Sequence, residues 1–330
     1  MSVLIDGYDA ALFDLDGVIY LGPQAVSGAV DALRALRERA TAVIYVTNNA
    51  AREAQVVIDQ LTELGFEADA ANVLTSAQVA AAGLAKELPA GAKVLVSGSE
   101  NLANLIAGAG FEVVRAAADR PDAAIQGYDP DLSWRMLDEV ALAIQGGARW
   151  FATNDDASRP TDRGLVPGVG GALAAVRLVV GGDPTTFGKP FRPMLAEAVR
   201  RVDAHRPIFV GDRLDTDISG ANNAGMDSLL VFSGAHGKRD LVAAVPEERP
   251  THIGADVSAL LRPARAVTMT GEQASCGEQT ASASGGTVSV AGRPVTPEDQ
   301  FDALWAIAHL AWRHPTLDCS DALASLELVH

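Results

Sequence analysis

The chain has 330 residues, 48% of them hydrophobic, and a formal net charge of −16. That length and apolar content support a sizeable core, in two domains or in one with a large insertion. The charge argues against a nucleic-acid or anionic-membrane partner, which would call for a clustered basic face. No apolar run approaches the roughly 18–20 residues that cross a bilayer, so no membrane insertion is expected.

In chain order, the opening "MSVLIDGYDA" has no basic segment before its apolar residues, and no secretory signal is expected. "AALFDLD" reads as a buried strand that ends in Asp14 and Asp16. "VSGAVDALRALRER" has apolar residues at helical spacing, and "AVIYVTNN" is a second strand, ending at Thr47, Asn48 and Asn49 immediately before a helix. "AKVLVSG", "DAAIQGYD" and "WFATND" read as further strands, separated by helical stretches such as "SENLANLIAGAG" and "DLSWRMLDEVALAIQGG". "TTFGKPF" puts Lys189 in a loop ahead of the helix "FRPMLAEAVRRV". "IFVGD" and "SLLVFSG" complete the series, the first ending at Gly211-Asp212 with Asp215 and Asp217 in the following turn. Such alternation predicts parallel sheets covered by helices, with a ligand beyond the carboxyl ends of the strands.

The character changes after "ADVSALLRPARAV". From Thr268 to Thr287 the chain is rich in Ser, Gly, Ala and Thr and reads as a linker or long loop. "TVSVAGRPV" could form a short hairpin. Thr296-Pro297-Glu298-Asp299 has the form of a helix start, and Phe301, Leu304, Trp305, Ala308 and Trp312 continue on one face that packs on a neighbour. The only cysteines, Cys276 and Cys319, lie far from every motif, and a reducing cytoplasm is the natural location.

Residues two apart on a strand project to the same side, so Asp14 and Asp16 can face one small volume, although a turn at Gly17 can rotate the second. Carboxylates this close raise each other's pKa unless a cation intervenes, and their hard oxygens suit magnesium. Taken alone, "DLDG" fits a solvated turn almost as well. Thr47 and Asn48 offer a hydroxyl, an amide and backbone N–H groups to an oxyanion, yet both are ordinary helix caps. A lone Lys189 in a loop is ordinarily solvated. Around Asp212 the spacing of acceptors does not match a calcium loop.

In combination the pieces are specific. "DLDGV", "VTNN", "GKP" and "GDRLDTD" resemble, in order and character, the four motifs of the haloacid dehalogenase superfamily. "DLDGVIYLG", "VSGSENLANLIAGAGFEV", "GYDPDLSW", "FATND" and "VPGVGGALAAV" make the chain similar to the branch of NagD and the para-nitrophenyl-phosphatase-like enzymes, and within it most like bacterial glycerol-3-phosphate phosphatases. The likeness covers roughly residues 8 to 260.

The resemblance implies a three-layer Rossmann-like parallel-sheet core with a large inserted α/β cap and a small C-terminal extension. Residues 1–75 and 183–262 would form the core, 76–182 the cap, and 263–330 a linker and extension of no assigned role. It implies magnesium-dependent hydrolysis of a small phosphate monoester through an aspartyl-phosphate, with glycerol 3-phosphate first. Phosphoglycolate, pyridoxal phosphate and nucleotide monophosphates are alternatives. Asp14 would be the nucleophile and Asp16 the general acid and base. Asp14, the backbone carbonyl of Asp16, and Asp212 would hold the ion, with Asp217 behind them. Thr47, the backbone at Asn48, and Lys189 would bind the phosphoryl oxygens. Asp215 reads as a cap of the next helix. In the cap, "TNDDASRPTDRG" with Asn154, Arg159 and Arg163 is expected to face the substrate. A cap-mediated homodimer is implied at family level. Two readings from other classes compete. A receiver-like signalling module would be about 120 residues, with its acceptor Asp on a middle strand. A phosphate-binding scaffold would lack turnover, although every residue required for turnover is present.

Overall fold

The structure, a computed structural model, describes residues 2–161 and 163–329. It falls into two compact units, one formed by Met1–Ile44 with Val202–His330 and the other by Tyr45–Arg201.

The first unit begins with β1 (Ala10–Phe13), a hairpin of β2 (Tyr20–Leu21) and β3 (Gln24–Ala25), and α1 (Ala29–Glu38). Strand β4 (Ala42–Thr47) crosses the division between the units. Its first half lies beside β1, Ala42 N donating to Asp9 O at 3.1 Å.

The second unit continues through α2 (Ala54–Glu63), β5 (Val73–Thr75), α3 (Ser76–Glu87), β6 (Lys93–Ser97), α4 (Glu100–Gly108), β7 (Glu112–Val114), β8 (Ala123–Gln126) and α5 (Trp134–Gln145). Then come β9 (Arg149–Ala152), the hairpin β10 (Ser158–Thr161) and β11 (Gly164–Pro167), α6 (Val169–Val180), β12 (Thr185–Thr186) and α7 (Arg192–Val202). The second half of β4 pairs in parallel with β5. The strands β12-β9-β8-β6-β7 form a separate five-stranded sheet, parallel at each pairing, whose core with α5 and α6 includes Leu95, Val140, Trp150 and Leu173.

Back in the first unit, β13 (Pro207–Gly211), α8 (Ser219–Ala224), β14 (Asp227–Val231), α9 (Lys238–Ala243) and β15 (His252–Gly254) follow. The strands β1, β13, β14 and β15 are adjacent in that order and parallel. All four residues of β1 are buried, as are Ile208 to Gly211 of β13. Strands covered on both faces in this way read as unbroken apolar runs.

Residues 263–330 depart from the expected linker. β16 (Val267–Thr270), β17 (Gln273–Cys276), β18 (Gln279–Ser284) and β19 (Thr287–Val290) make an antiparallel meander, and β19 pairs with β18 in place of a hairpin within "TVSVAGRPV". Ala274, Cys276, Ala281 and Val288 are its buried positions, small enough for α10 (Pro297–Arg313) to lie close against β17 and β18. Their modest size is what made the stretch read as loop. The start of α10 is as expected: Thr296 Oγ1 accepts from Asp299 N (3.1 Å), and the Asp299 carboxylate accepts from Thr296 N (3.0 Å). Phe301, Leu304 and Trp305 join Leu214, Ile218, Leu230, Phe232 and Leu241 in a single hydrophobic core, with Phe301 edge-on to Phe232 at 5.3 Å. A short helix, α11 (Ser320–Ala324), closes the chain. Among the described residues, no helix is long and apolar enough to cross a membrane.

Candidate active site

The register of β1 and β13 explains the acidic cluster. Phe13 stands opposite Val210, and Asp14 N donates to Val210 O at 2.9 Å, so Asp14 emerges from β1 where Gly211 and Asp212 emerge from β13. This is the carboxyl edge of adjacent parallel strands. Asp14, Asp212 and Asp217 each offer an oxygen within 4.8 Å of the other two, and they are 9%, 2% and 0% exposed. The Asp217 carboxylate accepts from the backbone N–H groups of Asp212 and Arg213, both at 3.1 Å, which ties the turn to its own base. Gly211 leaves space for it, since a Cβ there would lie 2.2 Å from Asp217 Cβ. Three buried carboxylates with oxygen donors only are a donor set that fits a hard divalent cation such as magnesium.

Asp16 is not part of that trio and is exposed. Gly17, directly after Asp16, turns the chain with φ +90°, a backbone that favours glycine. Asp215 does not act as a helix cap, and its carboxylate accepts from the Arg213 guanidinium at 3.1 and 2.7 Å.

The second unit carries the other motif residues. Thr47 ends β4, buried, with its hydroxyl accepting from Asn49 N at 3.1 Å. The helix expected directly after Asn49 starts later, at Ala54. Asn49 Oδ1 takes the N–H groups of Ala51 (3.0 Å) and Arg52 (3.2 Å), which holds a turn in place of the first helical turn. Lys189 is only 2% exposed, in contrast to an ordinary loop lysine. Asn48 holds it in place: its Oδ1 accepts from Lys189 N (2.9 Å) and its Nδ2 donates to Lys189 O (3.0 Å). Gly188 is required for that approach, because a Cβ would lie 2.7 Å from Asn48 Oδ1.

Sequence reasoning missed the reach of this clamp. Asn48 Nδ2 also donates to Asp156 Oδ1 at 2.8 Å, and Asn48 O accepts from Asn154 Nδ2 and Ser76 Oγ, both at 2.7 Å. Of the three residues singled out in "TNDDASRPTDRG", Asn154 therefore meets a motif residue. Arg159 lies over the Tyr128 ring at 4.8 Å, and Arg163 is exposed, its N–H bonded to Thr161 Oγ1. Asp162 of that loop lies outside the described residues. The segment Ser233–Gly237 was also missed. It folds around Asp212 through backbone N–H groups, which leave no side-chain pattern to read.

The comparisons agree with the motifs. A family model described as haloacid dehalogenase-like hydrolase matches residues 11–112, and a second, HAD-hydrolase-like model matches residues 186–260. The D-glycerol 3-phosphate phosphatase of Mycobacterium tuberculosis is 47% identical over 260 residues, covering 79% of this chain and 73% of that protein. The crystal structure of a glycerol phosphate phosphatase from Mycobacterium tuberculosis in complex with magnesium superposes with a TM-score of 0.86 at 41% identity. It covers 99% of this chain and 98% of its own, so the likeness includes the C-terminal extension. The p-nitrophenyl phosphatase from Archaeoglobus fulgidus matches with a TM-score of 0.71 at 25% identity, covering 77% of this chain and 98% of its own. Sequence models at both motif-bearing ends, close relatives along most of the length and the carboxylate trio at the strand edge agree: the chain belongs to the haloacid dehalogenase-like hydrolases.

Proposed function

We propose that this protein is a magnesium-dependent phosphatase that cleaves glycerol 3-phosphate to glycerol and phosphate through an aspartyl-phosphate on Asp14. The observation that carries the reading is the convergence of Asp14, Asp212 and Asp217 within 4.8 Å. Carboxylates so placed repel one another unless a cation sits among them. Asp14, the backbone carbonyl of Asp16, and Asp212 hold magnesium, and Asp217 steadies Asp212 through its N–H. When bound, the ion offsets the repulsion between the carboxylates and an anionic phosphoryl group.

The remaining chemistry belongs to side chains. Asp14 attacks phosphorus in line, and the bond from phosphorus to the glycerol oxygen breaks. Asp16, exposed and outside the trio, gives its proton to the leaving alkoxide. It then takes a proton from the water that attacks the aspartyl-phosphate, which releases phosphate and restores Asp14. Thr47, the backbone N–H at Asn48, and Lys189 hold the phosphoryl oxygens. The burial of Lys189 supports this role, since a buried ammonium persists only among anionic or hydrogen-bonding partners.

Residues 76–182 act as the cap that closes on the alcohol, and the sheet strands β6 to β9 within that range support a folded module there. The protein works in the cytoplasm, where Cys276 and Cys319, both free, stay reduced. It forms a homodimer through the cap, which sedimentation measures directly. Glycerol 3-phosphate offers two hydroxyls, and a site built to bind them penalises analogues that lack them. Phosphate release with magnesium should give a kcat/KM for glycerol 3-phosphate at least about tenfold above simple alkyl phosphates, roughly 1.4 kcal/mol. The same screen includes phosphoglycolate, pyridoxal phosphate, nucleotide monophosphates and a phosphopeptide. Turnover without magnesium, or a phosphopeptide cleaved as efficiently as glycerol 3-phosphate, overturns the proposal.

A further inference from the structure

Between β14 and α9 the chain runs Phe232-Ser233-Gly234-Ala235-His236-Gly237, a stretch to which none of the four motifs extends. In the folded unit it wraps around Asp212. Ala235 N donates to Asp212 Oδ2 at 2.6 Å, and His236 N donates to Asp212 O at 3.1 Å. Ser233 Oγ donates to Gly17 O at 2.7 Å, which joins the segment to the turn after β1. There is no room for side chains at the point of contact: a Cβ on Gly234 would lie 2.0 Å from Asp212 Oδ2, and one on Gly17 2.3 Å from the same oxygen.

The imidazole completes the enclosure. His236 Nδ1 accepts the backbone N–H of Leu214 at 2.8 Å, which leaves Nε2 as the ring's donor. Leu214 is the first residue of the turn Leu214–Ile218 that carries Asp217. The backbone N–H of His236 thus holds Asp212, and its ring holds the turn two residues further on. Asp217 grips the same stretch from the other side, through the N–H groups of Asp212 and Arg213. With both in place, the peptide groups from Asp212 to Leu214 are pinned at each end.

We propose that His236 is a positioning residue for magnesium, holding Asp212 and the Leu214–Ile218 turn in the geometry that binds the ion. This rests on the magnesium-dependent reading above, and its test is separate from that reading because it measures ion binding without substrate or turnover. Partners that orient metal ligands typically account for 10–100-fold in affinity. His236→Ala removes the acceptor for Leu214 N. His236→Asn puts an amide oxygen at the same bond distance from the backbone as Nδ1, whereas His236→Gln moves it one methylene further out.

Titration calorimetry with magnesium chloride on the full chain provides the readout, with melting by circular dichroism alongside. The magnesium Kd is expected to rise at least about tenfold in His236→Ala and His236→Gln, and to stay within about twofold of wild type in His236→Asn. At saturating magnesium, KM for the phosphate ester should not move. A merely structural role would lower the melting temperature of all three variants and leave the Kd unchanged, which would overturn the proposal. So would His236→Asn binding as weakly as His236→Gln, a comparison that decides the matter even if His236→Ala does not fold.

Discussion

Replacing the Asn48 amide with a carboxylate reverses its hydrogen-bonding sense at almost constant shape. In Asn48→Asp the acceptor for Lys189 N is retained, but both donations from Nδ2, to Asp156 Oδ1 at 2.8 Å and to Lys189 O at 3.0 Å, become oxygen–oxygen contacts. Two unit charges at that separation repel by about 6 kcal/mol at an effective dielectric of 20. This is a ceiling, because Asp156 is only partly buried and the pair can share a proton. Adding the two lost hydrogen bonds, each about 0.5–1.5 kcal/mol, a net loss of about 2–4 kcal/mol in stability is expected. Asp156→Asn alone should cost about 1 kcal/mol. In the double exchange the amide at 156 can donate to the carboxylate at 48, so at least about 1.5 kcal/mol of the summed loss should return. Urea unfolding of all four proteins at neutral pH, followed by circular dichroism, gives the cycle. Single-variant losses that simply add would refute the clamp between Asn48 and Asp156.

Asp14→Asn should leave the circular dichroism spectrum unchanged and lower kcat by more than about a hundredfold, and a smaller loss would contradict covalent attack by Asp14. Phe301→Ala removes a ring that is 3% exposed and edge-on to Phe232, a loss of about 3–5 kcal/mol that should lower the unfolding midpoint by about 5 °C or more. A midpoint within error of wild type would mean that the extension is not part of the core. Burial lowers the pKa of His252 and of His309, with Asp227 opposing the shift at His252 and the Trp305 carbonyl opposing it at His309. The unfolded chain therefore binds more protons than the native protein just below the ordinary histidine pKa of about 6.5, and stability falls as pH drops through that range. His309→Phe, which keeps a ring beside Trp305 and Trp312, should flatten the fall in midpoint between about pH 7 and pH 5; an unchanged slope refutes the assignment.

Much of the candidate site was legible because its signals are local. An apolar run followed by a carboxylate, as at Asp14 and Asp212, announces a buried strand and its polar end, and these two together with "VTNN" and "GKP" in order identify the family. The helix start at Thr296 was equally plain, since a capping box is complete within four residues. Three readings failed where locality failed. The small residues of β17 and β18 suggest a linker until α10 is seen lying against them. The helix expected directly after Asn49 is present but starts only at Ala54, behind a turn that the Asn49 side chain holds. Asp215, expected to cap a helix, pairs with Arg213.

The chemistry that the chain carries is written in the order of its side chains: which carboxylates, hydroxyl and lysine end its strands and loops. How they are held is a property of the folded chain. Lys189 is buried because Asn48, 141 residues earlier, meets both of its backbone polar groups. Asp212 is enclosed because the backbone N–H groups of Ala235 and His236 close over it. The extension joins the core because Phe301 and Trp305 pack with Phe232 and Leu241. Each of these depends on a backbone amide, an absent Cβ or the shape of a cavity. Backbone amides are common to nearly every residue, and cavities exist only once the chain has folded, so neither leaves a mark in the order of the side chains.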